Sequence, residues 1–230
     1  MSFFRFPTLW GRSWAFSQML FARFELAKMQ QVRFWKLMGS GTGEGFTPIP
    51  NTSVYAIMTI YDDHKHAVEA LTHAPVFNRY RKHATDHWSV FLQPIGSRGN
   101  WAGVEPFKPS ARKPEPGPIV ALTRATIKPS ILPKFWGRVP AISKMIGSDP
   151  NVIFKIGIGE VPWLHQVTFS IWPNEAKMAD FARRDGPHAA AIRAVREHGW
   201  FKEELYARFK IAGEFGSWPD IQKLTESALK

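Results

Sequence analysis

The stretch from Asn151 to Trp200 constrains the fold more than any other part of this 230-residue chain. Residues 152–159 alternate apolar with small or polar side chains, and residues 165–172 alternate again with β-branched and aromatic ones, so each segment predicts a strand. Residues 174–198 follow with helical periodicity and a Gly-Pro break in the middle. The stretch therefore predicts strand, strand and broken helix, with the imidazole of His188 directly after the break.

The same succession of patterns occurs earlier in the chain. Further strands are predicted over residues 3–9, 32–38, 52–61, 88–94, 118–128 and 205–211, and further helices over residues 13–30, 64–84 and 130–146. The helix over residues 13–30 is amphipathic, and that over residues 64–84 is predicted to break at Pro75. Each half then has the order β-α-β-β-α-β, which is typical of a ferredoxin-like unit.

Four short segments recur in the same order in both halves, which indicates a duplication. The matching pairs are residues 33–37 with 152–156, 59–62 with 170–173, 74–76 with 186–188, and 96–101 with 213–218. We therefore predict an α+β protein of two ferredoxin-like repeats, whose sheets pack face to face or close into an α+β barrel. The expected division is residues 1–100 for the first repeat, 101–117 for a linker, 118–218 for the second repeat with the functional site, and 219–230 for a tail.

Composition narrows the chemistry that the chain can perform. It contains no Cys, which excludes disulfides, thiolate ligation of haem, and Cys-based zinc or iron–sulfur sites. Ten Trp and eighteen Phe suit either a pocket for flat apolar ligands or simply a large aromatic core. The net charge of +11 attracts anions such as lipid head groups, but the strands lack the aromatic and basic signature of an RNA-binding domain, so no nucleic-acid partner is expected.

The N-terminal region does not predict a membrane span. Residues 14–26 include Arg23 and Glu25 and fall short of the roughly 18 uninterrupted apolar residues that a spanning helix needs. No small-residue cleavage site follows. We expect a cytoplasmic protein with peripheral contact at the inner membrane surface.

Two histidines are candidates for a functional site. His188 begins a helical segment with an apolar face, and a neutral imidazole in apolar surroundings suits an axial ligand of haem iron. The alternative is a histidine at a helix start, bonded to backbone or solvent. His165 begins a strand after Pro162, and it fits a distal acid or base, a metal ligand, or a turn histidine, of which the turn histidine is favoured by residue type alone.

Two cations on strands are further candidates. Lys155 shares a strand face with Gly157 and Gly159, where the missing bulk would suit a ring system with acidic substituents, although a Lys pointing outward is the alternative. Arg124 interrupts an otherwise apolar strand, where it would pair with a propionate, polarise bound oxygen, or form an ordinary ion pair. A divalent-metal site at His64 and His66 is disfavoured, because a solvated helix cap explains them better.

Several of these segments resemble the spheroidene monooxygenase family of bacterial acyclic-carotenoid ketolases. The strings are RFWKLMGSGTGEGF at residues 33–46, ALTRAT at 121–126, and residues 150–172 and 186–208, and the resemblance covers roughly residues 33–218. It implies haem b, dioxygen, an external electron donor such as ferredoxin, and oxidation of a terminal C-2 carbon to a ketone. It also places the chain near dimeric α+β-barrel haem proteins such as aldoxime dehydratases, whose axial histidine lies in the second repeat, and so implies that the two repeats are packed as an α+β barrel.

The resemblance, taken with the residues, predicts a specific division of roles. His188 is the expected iron ligand, Lys155 and Arg124 the expected further contacts to the cofactor, and His165 with Arg124 the expected catalytic groups. A homo-oligomer is a further expectation. The alternatives are a haem-dependent dehydratase of the aldoxime dehydratase type, a non-catalytic protein that binds haem or an apolar ligand, and an oxygenase without cofactor.

Overall fold

A computed structural model describes most of the chain. The described residues are 1–43, 45, 47–110, 116–137, 149–183, 199–219, 221–222 and 224. They belong to two compact units. The first comprises residues 1–40, 51–92 and 211–230, and the second comprises residues 41–50 and 93–210.

The first unit follows the predicted order of strands and helices. Its elements are β1 (Ser2–Arg5), α1 (Leu9–Leu26), β2 (Phe34–Gly41), β3 (Pro50–Ile60), α2 (His64–His73), α3 (Pro75–His83) and β4 (Asp86–Gly99). Thr8 caps α1 by accepting a hydrogen bond from the Gly11 N–H, and Asp63 caps α2 in the same way. The predicted break at Pro75 is confirmed, because this residue opens α3 directly after α2 ends.

The strands of the first unit lie in the order β2-β3-β1-β4, and β1 pairs antiparallel with both β3 and β4. A hydrophobic core packs the helices against this sheet. Its most deeply buried members include Phe4, Phe6, Ile57, Phe77 and Tyr80. The ring of Tyr80 in α3 contacts the rings of Phe4 in β1 and of Phe6 just after it, at centroid distances of 4.9 and 6.2 Å.

The second unit has the same strand order as the first. It contains β5 (Ile119–Ile127), β6 (Phe154–Gly159), β7 (His165–Trp172), α4 (Glu175–Arg183) and β8 (Phe201–Ser217). The strands lie in the order β6-β7-β5-β8, and β5 pairs antiparallel with β7 and β8. A 3-10 turn at Pro129–Ile131 leads into helical residues 132–137. The mixed α+β class with antiparallel strands is thus confirmed, while the assignment of two duplicated ferredoxin-like repeats stays a prediction.

Strands β4 and β8 are longer than predicted, and residues of each belong to both units. Pro94 was expected to end β4, because proline cannot donate to a sheet ladder. It lies within the strand instead, and its carbonyl accepts a hydrogen bond from the Ser110 N–H at 2.9 Å. The chain after β4 therefore pairs back onto it, in the segment predicted to be a linker.

Helix α1 turns its small residues towards the protein. Its buried positions are Gly11, Ala15, Gln18, Ala22 and Leu26, which recur at helical spacing. The small side chains of Gly11, Ala15 and Ala22 let the helix backbone approach the unit closely at these positions. The larger side chains on the opposite side of α1 are exposed. The apolar stripe that makes this helix amphipathic in the sequence is therefore not its core-facing side.

No helix of the described residues combines the length and the hydropathy that a membrane span requires.

The close packing of α1 predicts opposite responses to substitution on its two sides. Ala15→Leu should lower the free energy of unfolding by about 1–3 kcal/mol, because the added methylenes have no space against the unit. Phe16→Gln, on the exposed side, should change it by less than about 0.5 kcal/mol. Urea unfolding followed by circular dichroism measures both. Equal destabilisation by the two variants would contradict this orientation of the helix.

Candidate functional site

Arg124 is a buried cation in the central strand of the second unit. Only 2% of its side chain is exposed, and its Nη1 donates to Glu203 on β8. Its guanidinium carbon lies 5.7 Å from the centre of the buried Trp101 ring. The Nε atom of Arg124 is buried without a hydrogen-bond partner among the described residues. The ordinary ion pair is therefore present, and one donor of the guanidinium remains available.

Glu203 connects this cation to the turn after β4. Its carboxylate accepts hydrogen bonds from the N–H groups of Ala102 at 2.9 Å and Gly103 at 2.7 Å. Burial alone raises the pKa of Glu203, but these N–H groups and the Arg124 guanidinium outweigh burial, so the pKa is held below its ordinary value of 4.5. Ala102 has a φ of 55°, a strained value for a residue with a Cβ. Glu203 thus stabilises a cation and a tight turn together.

His165 faces a second carboxylate. Its Nδ1 lies 3.2 Å from Oε2 of Glu160, which is an ion-pair distance when the ring is protonated. The geometry of these two atoms does not meet the requirements of a hydrogen bond. The other oxygen of Glu160 accepts a hydrogen bond from Nε1 of Trp101 at 2.8 Å. A carboxylate beside one ring nitrogen orients an imidazole and leaves its Nε2 for another partner.

Strand register brings both pairs to the same face of the sheet. Thr126 pairs with His165 on one side and with Glu203 on the other. Arg124 lies two residues before Thr126 in β5, so its side chain is on the same face. Trp101 contacts both Arg124 and Glu160. We call these residues the polar cluster; its members are Trp101, Arg124, Glu160, His165 and Glu203. Arg124 and His165 thus lie on one face of the sheet, and their catalytic roles stay a prediction.

Lys155 lies on the other face of the sheet. It pairs with Ser170, whereas Arg124 pairs with Val167, and odd and even positions of one strand point to opposite faces. Because of this alternation, Lys155 and Arg124 cannot both contact one flat group that lies against a single face.

The Lys155 face carries small side chains and is partly covered by α4. Phe181 of α4 packs on Trp172 at a ring distance of 5.0 Å, at one end of this face. Strand positions along the rest of the face are occupied by Ala121, Thr123, Ala125, Thr168 and Ser170. The opposite face of the same strands carries Val120, Leu122, Val167, Phe169 and Ile171, all buried. Gln166 adds to the small-residue face a buried Nε2 that has no hydrogen-bond partner within the described part of the chain.

The glycines beside Lys155 have a different explanation from the predicted one. A Cβ on Gly157 would collide with the backbone of Gly45, and a Cβ on Gly159 would collide with the carbonyl of His165. Both positions therefore require glycine because another backbone segment approaches closely. The space directly beside these two glycines is therefore occupied by backbone.

The remaining predicted site residue, His188, lies outside the described residues. In the described part of the chain, no group of three or more potential metal ligands comes together. A haem requires only one protein ligand, so this observation does not bear on it.

Sequence patterns did not identify Trp101, Glu160 or Glu203 as members of the cluster. Glu160 lies just beyond a strand and Glu203 near the start of one, where carboxylates are usually solvated. Trp101 lies in the segment predicted to be a linker. The one available signal was the buried charge of Arg124, because a cation in an apolar strand requires a carboxylate partner.

The Arg124–Glu203 pair predicts a pH-dependent contribution to stability. Glu203→Gln should lower the free energy of unfolding at pH 7 by about 2 kcal/mol, because Arg124 stays buried without its counter-charge. A depressed pKa stabilises the fold above the unfolded value of 4.5, and that stabilisation is lost as the pH falls through the folded value. The difference from the unsubstituted protein should therefore shrink below pH 4.5, as measured by urea unfolding at several pH values.

Glu204→Gln is the matched control, since this neighbouring carboxylate is exposed and only accepts a hydrogen bond from the Tyr206 hydroxyl. It should change stability by less than about 0.5 kcal/mol at any of these pH values. A pH-independent loss in Glu203→Gln would mean that the pair contributes through packing alone.

Sequence comparison finds close relatives along the whole chain. The chain is 51% identical over 232 residues to a spheroidene monooxygenase of Rhodobacter capsulatus, covering 100% of this chain and 96% of that protein. It is 47% identical over 219 residues to a spheroidene monooxygenase of Cereibacter sphaeroides, covering 95% of this chain and 68% of that one. No family model matches the sequence.

Among solved structures, the fold is similar to that of an aldoxime dehydratase. The TM-score is 0.58 at 8% sequence identity, and the match covers 99% of this chain and 86% of the dehydratase. At that identity the likeness concerns the fold alone. The sequence identity to the Rhodobacter capsulatus protein is about half, over nearly the full length of that protein and of this chain. This identity shows that the chain belongs to the spheroidene monooxygenase family.

Proposed function

We propose that this protein is a haem-dependent monooxygenase that oxidises the terminal C-2 carbon of an acyclic carotenoid to a ketone. The observation that carries the proposal is the 51% identity, along the whole chain, to a spheroidene monooxygenase. A fold comparison would not suffice, because one fold supports many reactions.

Overall stoichiometry defines what the protein has to supply. Each oxygenation consumes one dioxygen, two electrons and two protons; one oxygen atom enters a C–H bond and the other leaves as water. A second oxygenation at the same carbon gives a geminal diol, which loses water to form the ketone. The electrons come from an external donor such as a ferredoxin. The protein therefore needs an apolar site for the substrate, a route for protons, and a cofactor that activates dioxygen.

The small-residue face of the second unit fits a flat cofactor. It has Ala and Ser where the opposite face has Val, Leu and Phe, and it carries the buried unpartnered Nε2 of Gln166. Lys155 lies on the same face and would bind a propionate. Haem bound there would supply the activation of dioxygen. Helix α4 packs on this face, and His188 follows five residues after its last residue, Arg183, so we assign the iron ligand to His188.

The polar cluster on the opposite face would have a different role. His165 is partly exposed, and its Nδ1 faces Glu160, whose other oxygen holds the buried Trp101. We propose that His165 and Glu160 position the ring of Trp101, while Arg124 fixes the turn at Ala102 through Glu203. Arg124 would then be a positioning residue that does not contact the cofactor.

Labelled oxygen tests the reaction class. The full-length protein, supplemented with haem and supplied with spheroidene, a ferredoxin and its reductase, should give a ketone that carries oxygen from ¹⁸O₂. Mass spectrometry of the product, extracted before carbonyl oxygen exchanges with water, measures the label.

Other results would support other functions. A dehydration product without added oxygen would indicate a dehydratase, and a haem spectrum without turnover would indicate a binding protein. Oxygenation by a colourless preparation would indicate that no cofactor is needed. Each of these outcomes would overturn the proposal.

Absorption spectra test the iron ligand independently of activity. In haem-supplemented protein, His188→Ala should shift the Soret band or abolish it, because the iron loses its protein ligand. His165→Ala and the exposed control His73→Ala should leave the band unchanged. A Soret band lost only in His165→Ala would move the iron to the polar-cluster face, and the absence of any Soret band in the unsubstituted protein would remove haem from the proposal.

A further inference from the structure

We propose that the exposed side of helix α1 is a docking surface for an anionic lipid bilayer. Its exposed apolar residues include Trp10 at 80%, Phe16 at 69%, Leu20 at 57% and Phe24 at 61% exposure. They lie on the side of the helix opposite the buried Gly11, Ala15 and Ala22. Exposed aromatic residues on one side of an otherwise well-packed helix are costly in water and indicate that something covers them.

The helix remains tightly attached to its unit without these side chains. Ala15 and Ala22 are fully buried, and the ring of Trp14 stacks on His83 of α3 at 4.0 Å with an interplanar angle of 3°. Glu25 near its end pairs with Arg79 of α3. The large exposed residues therefore contribute little to folding, and their burial is left for a partner.

Charge selects a negatively charged partner. The acidic residue of α1, Glu25, is neutralised by Arg79, while Arg12 and Arg23 lie about three turns apart on one flank of the exposed apolar residues. Lys28 follows the end of the helix and is exposed. The whole chain carries a net charge of +11. An apolar face with Trp and Phe, bordered by cations, is typical of a helix that lies in the plane of an anionic membrane surface.

This inference deepens the proposed function and rests on it for its biological purpose. A carotenoid dissolves in the bilayer interior, so an enzyme that oxidises it gains from contact with the lipid surface. The physical argument for docking uses only the exposure of α1 and the charge of the chain. Vesicle binding requires neither haem nor turnover, so docking and the oxygenase reaction can fail separately.

Vesicle sedimentation tests the surface. The full-length protein should sediment with vesicles of phosphatidylglycerol and phosphatidylcholine, and less with phosphatidylcholine alone or at high salt. The triple variant Phe16→Gln, Leu20→Gln, Phe24→Gln should bind at least about 100-fold more weakly, because each removed side chain contributes about tenfold when buried in lipid. Circular dichroism should show an unchanged fold.

Ile49→Gln is the matched control, because Ile49 is 63% exposed in the second unit and does not belong to α1. This variant should bind vesicles as the unsubstituted protein does. Arg23→Gln with Lys28→Gln should weaken binding to the anionic vesicles only.

Two results would overturn the proposal. One is equal binding, or equal lack of binding, by the unsubstituted protein and the triple variant. The other is a dimer in solution that becomes a monomer in the triple variant, with no vesicle binding by either; the face would then be an interface with a second copy of the chain. Sedimentation equilibrium without vesicles separates these cases.

Discussion

The pairing of β5 between β7 and β8 is the constraint on which the candidate site depends. One register places Arg124 beside Val167 and Leu205, and Thr126 between His165 and Glu203. A shift of one residue would turn every side chain of the strand to the other face. It would put the Arg124 guanidinium away from Glu203, leaving an unpaired charge. The burial of this one cation therefore specifies the register of the central strand, and the register in turn assembles the polar cluster.

Strands and helices were predicted well where the periodicity was strong and contacts with distant parts of the chain did not change their limits. Strand β7 has the predicted limits, and α2 and α3 meet at the predicted proline. Long-range contacts decided the rest. The Pro94 carbonyl accepts a hydrogen bond from a later part of the chain. The two glycines beside Lys155 are required because the backbones of Gly45 and His165 approach them closely. No local pattern at Gly157 or Pro94 contains such information, because Gly45 and Ser110 lie outside the strands that they approach.

Two features of the site could not be predicted from the sequence, and they have one physical origin. Arg124 and Lys155 were both predicted to contact the cofactor, since each is a cation in an apolar strand. Their faces follow from parity within paired strands, which only the register between β5, β6 and β7 reveals. Glu160 and Glu203 were missed because a carboxylate near a strand end usually faces water. A buried arginine in a strand requires a carboxylate partner, which can come from a distant part of the chain.

Helix α1 and the sheet of the second unit place their large and small apolar side chains in opposite ways. The helix approaches its unit through Ala15 and Ala22 and turns Phe16 and Phe24 outward, so its large apolar side chains are available to lipid. The sheet turns Val120, Leu122 and Phe169 to its buried face and small residues to the face under α4. In both cases small side chains lie where something else packs closely. On the helix this is the rest of its unit, and on the sheet it is the proposed cofactor. Bulky residues on the sheet's small-residue face would therefore hinder the cofactor and leave lipid binding intact, because the two surfaces are built from different residues.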